Sequence, residues 1–358
     1  MKAGRELLPL TVGIIAILSS LGCGGGRDAP GSEPIVLDLP LDSILAVQAS
    51  FVLHESDADP LGYPMVAAIG PEGNLAIADL KMKRVVIFDP TGRRLQQLGA
   101  RGRGPGEYVF PVFVATLDSM LYVTDINQGR LIRFHWQNLQ YDSMQSISAP
   151  VGLLAVVPLS RDTFAIFGQD RSPSSSDTAA GGVLWESRTG QIARMAPLPK
   201  HLAGRALAGA FSGTGTVHKR EIFAAMNGGN TIFRYDHAGQ VLDSIVLPAR
   251  VRRPIILPKL GSVLGGLPEE ARILGSFQWI RSIGVIRDWI VLDLQDSARV
   301  TGEEFHSLLL VSRRAGNAMW KTTTCNCRLL GTSADDVYLA EDSTAPPWRV
   351  SRRRVAIP

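Results

Sequence analysis

The sequence predicts an all-β domain assembled from six like units. Three observations point to it: a strand–turn–strand pattern recurs, its strands alternate or run apolar, and turn residues punctuate it at intervals. From Gly73 the chain reads "GNLAIADLKMKRVVIFDPTGRRLQQLG", and from Asp118 "DSMLYVTDINQGRLIRFHWQNLQYDSM". Each opens with a turn and runs as a strand to an aspartate, Asp79 or Asp125. Arginine follows five residues later, Arg84 or Arg130, and begins a second apolar strand that reaches Phe88 or Phe134. The two aspartates lie 46 residues apart, which suggests one blade of antiparallel sheet per repeat.

Weaker copies follow. "DTFAIFG" keeps the strand and loses the aspartate, while "REIFAAMNGGNTIFRYDHAGQVLDSIVLP" restores the second hairpin, its "DHAG" matching the earlier "DPTG". "DWIVLDLQD" and "DDVYLAED" complete the set. Corresponding strand ends at Asp79, Asp125, Gly168, Met226, Asp293 and Glu341 give six units, with the third-to-fourth and fourth-to-fifth connections enlarged. The stretch Arg171 to Gly182, "RSPSSSDTAAGG", reads as a long loop of the third blade, because strand units resume beyond it. The insertion from Val251 to Ser282 holds "LPEEARILGSF", where Pro268, Glu269 and Glu270 suit the first turn of a short helix between blades four and five. A ring of blades leaves open edges unless its ends meet. "PIVLDLPL" or "SFVLHESD" is therefore expected to add a strand to the last blade, which otherwise ends in "PWRVSRRRVAIP".

"GNLAIADLKMKRVVIFDPTG" followed by "GRGPGEY" resembles the NHL repeat, whose units form β-propeller blades of four antiparallel strands. Six copies resemble the NHL-like six-bladed propeller lipoproteins of bacterial envelopes. The resemblance runs from about Pro34 to Pro358 and is strongest in the first two units. It implies a six-bladed propeller over residues 35–358.

The first residues read as an address. Lys2 and Arg5 precede the apolar run "LLPLTVGIIAIL", and "SSLGC" ends at Cys23. A run of about 12 residues suits a signal peptide and is short for a bilayer span. Small and apolar residues directly before a cysteine resemble the lipobox of bacterial lipoproteins, although Ser20 and Leu21 depart from its commonest residues. That resemblance implies a signal peptide over residues 1–22, lipidation of Cys23, and a Gly-rich tether over 23–34. It places the protein at the cell envelope, and at the outer membrane in a Gram-negative cell, since Gly24 follows the cysteine. An ordinary secretory signal with an incidental cysteine is the alternative.

The chain has 37 Lys and Arg against 33 Asp and Glu, with charge of both signs interspersed. Nucleic-acid binding would concentrate cations in a stripe or tail, so no nucleic-acid partner is expected. "GARGRGPGEY", Gly99 to Tyr108, lacks the Lys-Ser/Thr and helix of a phosphate loop, and the next element reads as a strand. It reads as a blade connector, in which Arg101, Arg103 and Tyr108 are also candidate ligand contacts. With Lys81, Lys83 and Asn127 they are expected on one propeller face, together with the Val251–Ser282 insertion. Asp79 and Asp125, repeated with Arg84 and Arg130, read as braces of the blades through turn N–H groups and arginine pairing.

The six histidines show no metal-ligand spacing, no G-x-S-x-G occurs, and no cofactor is expected. Cys325 and Cys327 in "TTTCNCRLLG" fall where the last blade's inner strand begins. Two buried thiols, a local disulfide, and a redox or metal role remain open. The expected function is a non-catalytic, monomeric binding module, anchored to the membrane by lipid and taking a protein, peptide or glycan. Resemblance to propeller lactonases gives the alternative, a calcium-dependent hydrolase or a lyase with dispersed axial ligands.

Overall fold

Antiparallel hairpins wind outward from an inner strand, and the pattern repeats until strands from the start and the end of the domain pair. The computed structural model describes residues 35–54, 59–170, 179–200, 211–251, 278–297, 304–313, 318–323, 325–341 and 346–357. The chain enters through β1 (Ile35–Leu39), the single-turn helix α1 (Leu41–Ile44) and β2 (Leu45–Val52). Blade 1 is β3 to β6 (Pro64–Ile69, Leu75–Asp79, Arg84–Phe88, Arg94–Leu98). A two-stranded connector follows, β7 (Ala100–Arg101) and β8 (Glu107–Tyr108). Blade 2 is β9 to β12 (Pro111–Leu117, Met120–Asp125, Arg130–His135, Tyr141–Ser146). Blade 3 is β13 to β16 (Ala155–Pro158, Thr163–Phe167, Ala180–Glu186, Gly190–Pro197). Blade 4 is β17 to β20 (Gly213–His218, Glu221–Met226, Thr231–Tyr235, Val241–Val246). Blade 5 is β21 to β24 (Gln278–Ile286, Trp289–Ser297, Glu304–Ser312, Ala318–Thr322). Blade 6 is β25 to β27 (Cys327–Thr332, Asp336–Glu341, Arg349–Val355), completed by β2. The innermost strands β3, β9, β13, β17, β21 and β25 touch in succession, and β25 returns to β3. This is an all-β six-bladed propeller.

Position within a blade decides strand composition. The second and third strands have neighbouring blades on both faces, so β4 (LAIAD) and β5 (RVVIF) are buried at every residue. Outer strands face water, and β6 and β12 are accordingly polar, RLQQL and YDSMQS. Six apolar clusters follow, one at each seam between adjacent blades, rather than a single central core. The outer hairpins share a device. In blades 1 to 4 the register between third and fourth strands shifts by one residue just before the turn, as a β-bulge does. Asp89 then accepts the N–H of Thr91 and Arg93 at 2.9 and 3.0 Å, and Asp236 those of Ala238 and Gln240 at 2.9 and 2.8 Å. Gly92 and Gly239 close these turns at φ +86° and +81°, where a side chain would strain the backbone.

The ring is closed by β2, which pairs antiparallel with β27 from Leu45–Val355 to Val52–Arg349. Of the two expected closing segments, "SFVLHESD" supplies only Ser50 to Val52, and the strand is made mostly by the preceding Leu45 to Ala49. The other, "PIVLDLPL", forms β1 and instead pairs parallel with β24, so blade 5 carries a fifth strand. Blade 5 departs from expectation in two further ways. β21 begins at Gln278, so the insertion ends before Ser282, and β22 continues to Ser297, leaving Asp293 inside the strand. Both strands are nine residues long, and this longer hairpin carries the pairing past the aspartate that ends the strand in blades 1 and 2. Likewise β15 starts at Ala180, inside the stretch read as a loop. The helix expected around Pro268 to Glu270 lies outside the described residues.

Candidate functional site

Each blade's turn between second and third strands lies beside the entry to its inner strand. Pro64 pairs with Asp79 and Pro111 with Asp125, so connector and turn meet at the same end of the sheet. Asp79, fully buried, accepts the N–H of Gly62 and Tyr63, both at 2.9 Å, and of Met82 at 3.3 Å. Asp125, also fully buried, repeats this with Val109 and Phe110 at 2.7 and 3.1 Å. It further accepts Asn127 and Gln128 N–H at 3.0 and 3.3 Å. In both blades two consecutive amides before the proline are tied to a carboxylate at the strand end. The shared triplets Gly62-Tyr63-Pro64 and Val109-Phe110-Pro111 are its sequence trace.

The arginines behave differently from each other. Arg84 approaches Asp79 through Nε at 3.5 Å, but its main partners are the Asp59 carboxylate and the Pro60 carbonyl, the latter at 2.7 Å. Arg94 also reaches Asp59, and hydrogen bonds from Arg84 and then Arg94 hold that carboxyl below its usual range. Arg130 does not pair with Asp125; it donates to the Arg103 carbonyl at 3.0 Å and lies against Met144. The repeated Asp–Arg spacing therefore marks strand register rather than a repeated ion pair, because Asp79 faces Arg84 and Asp125 faces Arg130 across their hairpins.

The connector is a tight loop. β7 and β8 run parallel, Gly102 donates to the Tyr108 carbonyl at 3.0 Å, and the Glu107 carboxylate turns inward to accept Gly104 N–H at 2.7 Å. A Cβ on Gly102 would stand 2.0 Å from that carboxylate, so a side chain there would push Glu107 off the Gly104 N–H. Gln128 donates from the next turn to the Gly102 carbonyl at 3.0 Å, and Lys83 lies 5.2 Å from the Phe110 ring centroid. Both turns and the connector are thus joined on one face. Lys81, Lys83, Arg101, Arg103 and Asn127 are exposed there. Arg101 and Arg103 form no ion pair among the described residues.

Tyr108 is a correction. It was expected on the ligand face, yet it is 1 % exposed and sits in the seam between blades 1 and 2. Its hydroxyl donates to the Leu98 carbonyl and accepts Val85 N–H at 3.1 Å, and its burial keeps it out of a ligand's reach. Burial pushes the phenol up to about 12. Gly106, at φ +72°, turns the chain so that this ring enters the core. In blade 6, the neighbour of blade 1 around the ring, Cys325 and Cys327 are joined by a disulfide at the start of β25. Beside it, fully buried His306 holds Asp293 through Nδ1 at 2.6 Å. This pair went unrecognised in the sequence, where the two residues are 13 apart. Asp293 faces Leu308 across the hairpin, so His306 is its diagonal neighbour on the same side of the sheet. Among the described residues no group of three or more His, Cys, Asp or Glu side chains is placed to hold a metal ion.

Residues 69–201 match a family model described as a six-bladed β-propeller, DUF5128. No curated protein matches the chain. A protein described as exported, from Bacteroides fragilis, is similar in structure with a TM-score of 0.61 and 12% identity. The match covers 90% of this chain and 98% of that one. A member of the DUF4221 family from Bacteroides vulgatus has a TM-score of 0.62 and 10% identity, covering 88% and 98%. At such identities the likeness is one of fold.

Two outcomes follow from the braced turns. Asp79→Ala should cost about 1–3 kcal/mol with no ligand present, because three turn N–H groups lose their acceptor. A lower urea midpoint at unchanged slope would show this, and an unchanged midpoint would remove Asp79 from the scaffold. Tyr108→Phe should lower the melting temperature near neutral pH. The folded phenol lies above its ordinary 10.0, so it contributes stability below that pH which is lost as pH climbs toward about 12. The gap between wild type and variant should therefore narrow over that window, and a gap constant to pH 12 contradicts the assignment.

Proposed function

We propose that this protein is a binding module of the cell envelope that takes an anionic partner on the connector face of blades 1 and 2. The observation that carries it is the exposure of Lys81, Lys83, Arg101 and Arg103 together on one rigidly tied surface. The carboxylates nearest to them are otherwise engaged: Asp79 and Asp125 accept buried turn amides, and Glu107 closes its own loop. The cations are left to the solvent side, where they steer a negatively charged protein, peptide or glycan surface toward the face. The work asked of the site is recognition.

The envelope address is supported by the charged, apolar, small-residue, cysteine order of residues 1–23 and by the Bacteroides fragilis neighbour's description as exported. Lipid on Cys23 would hold the domain at the membrane surface through the Gly-rich tether. Among the described residues no helix is long and apolar enough to cross a membrane.

Replacing both Arg101 and Arg103 by Ser keeps the connector's glycines and should leave the melting temperature unchanged. Affinity for a heparin-like polyanion, used as the probe, should fall several-fold and lose much of its salt dependence. Retention of both affinity and salt dependence would move the site elsewhere. Metabolic labelling with a fatty acid should mark the wild-type chain and spare Cys23→Ala, whereas equal labelling of the two refutes the anchor.

A further inference from the structure

We propose that Cys325 and Cys327 form a thiol–disulfide exchange site that opens on a recess between α1 and blade 6, with a peptide dithiol as its substrate. The recess, about 400 Å³, is lined by both cysteines with Leu41, Asp42, Asn326, Glu341 and Arg353. The two sulfurs differ in access. Cys327 is 3 % exposed and packs in the blade 5–blade 6 cluster, whereas Cys325 is only partly buried. Cys325 Sγ is therefore the atom an incoming thiolate reaches, and Cys327 is the leaving sulfur.

The bridge has little to do as a staple. It spans a separation of two residues, and a loop that short restricts the unfolded chain least. The seam is already held without it. Cys325 N–H donates to the His306 carbonyl at 2.7 Å and the Cys325 carbonyl accepts His306 N–H at 3.0 Å, while Asp293 accepts Leu329 N–H at 3.1 Å. The apolar cluster of Ile44, Leu45, Leu308, Leu310 and Leu339 fills the remainder. These same bonds fix the Cys325 backbone on a rigid base, with the His306 ring held by Asp293. Such support would let the sulfurs part and rejoin without moving the blade.

The exchange balances within the two partners. A peptide thiolate attacks Cys325 Sγ, the Cys325–Cys327 bond breaks, and Cys327 departs as a thiolate that takes up a proton. The peptide's second thiolate then attacks its own sulfur in the mixed disulfide and releases Cys325. The peptide loses two hydrogens and gains a disulfide; the protein gains two thiols. Asp42 and Glu341 both contact Arg353, at 2.6 and 2.7 Å, so the wall carries more negative than positive charge. It should favour a cysteine flanked by neutral or basic residues over an anionic small thiol.

The test uses the full chain carrying Cys23→Ala, which leaves Cys325 and Cys327 as its cysteines. Incubation with a basic dicysteine peptide under native conditions should expose two alkylatable thiols, read by intact mass, while the peptide loses two hydrogens. The rate with this peptide should exceed that with glutathione at equal thiolate concentration by about tenfold. The melting curve should persist after reduction. In single variants, Cys327→Ser should capture the oxidised peptide as a mixed disulfide at Cys325, and Cys325→Ser should capture it far more slowly. Cysteines that become alkylatable only in denaturant would overturn the proposal, as would glutathione matching the peptide. The wild-type pair is read directly, so the result stands even if a variant folds poorly.

Discussion

Everything in this ring depends on where its two ends meet. Blades 1 to 5 take their four principal strands from consecutive chain, but blade 6 has only β25, β26 and β27 until β2 pairs with it. That pairing covers the edge of β27 and brings chain from the start of the domain against chain from its end. The neighbouring seam adds side-chain support. Trp348 donates to the Leu61 carbonyl at 3.1 Å, Leu53 N–H donates to the Trp348 carbonyl at 2.8 Å, and Arg328 lies over the Tyr63 ring. An unpaired edge would invite another chain, and a ring with one weak seam would open there first. β1 extends the same logic, covering β24 on the adjacent blade before the chain reaches the closing strand.

Closure also separates the work of the two kinds of charge. Carboxylates at strand ends are drawn into the fold, because connectors between blades leave backbone amides needing acceptors away from water. Asp79 and Asp125 supply them. Arginine cannot fill that role, since it offers donors alone. Arg101 and Arg103 stay outside on a loop whose own amides are served by Glu107 and by backbone carbonyls. A basic face on a chain of modest net charge thus arises from how the scaffold uses its acids.

How much of this was legible in the sequence depended on range. The "DPTG" and "DHAG" turns, the strand ends at Asp79, Asp125, Met226 and Glu341, and the count of six units were all written in local pattern. Each is fixed by residues within a few positions of one another. Partners across a seam were not legible. Tyr108 looked like a surface residue because its neighbours are glycines and charges, and only the turn at Gly106 sends it inward. Asp59, which ties Arg84 and Arg94, stands in a stretch with no repeat signal. β1 reads as a closing strand by composition, and its parallel pairing with β24 is decided by where α1 turns the chain.

The two halves of the ring differ in a way that bears on function. Blades 1 and 2 follow the repeat most closely, and their buried carboxylates do the same job twice. Blade 5 breaks the pattern: its hairpin is longer, its aspartate lies within the strand, and that aspartate holds a histidine besides one backbone amide. A repeat needs no buried histidine to keep its shape, and an apolar pair at the same diagonal would fill the space without burying polar groups. Departures from local consistency that the fold does not require tend to mark sites kept for another reason. Here the departure lies directly behind Cys325, joined to it by two backbone hydrogen bonds. The regular blades therefore present a charged surface, and the irregular one supports the chain's only feature capable of covalent exchange among the described residues.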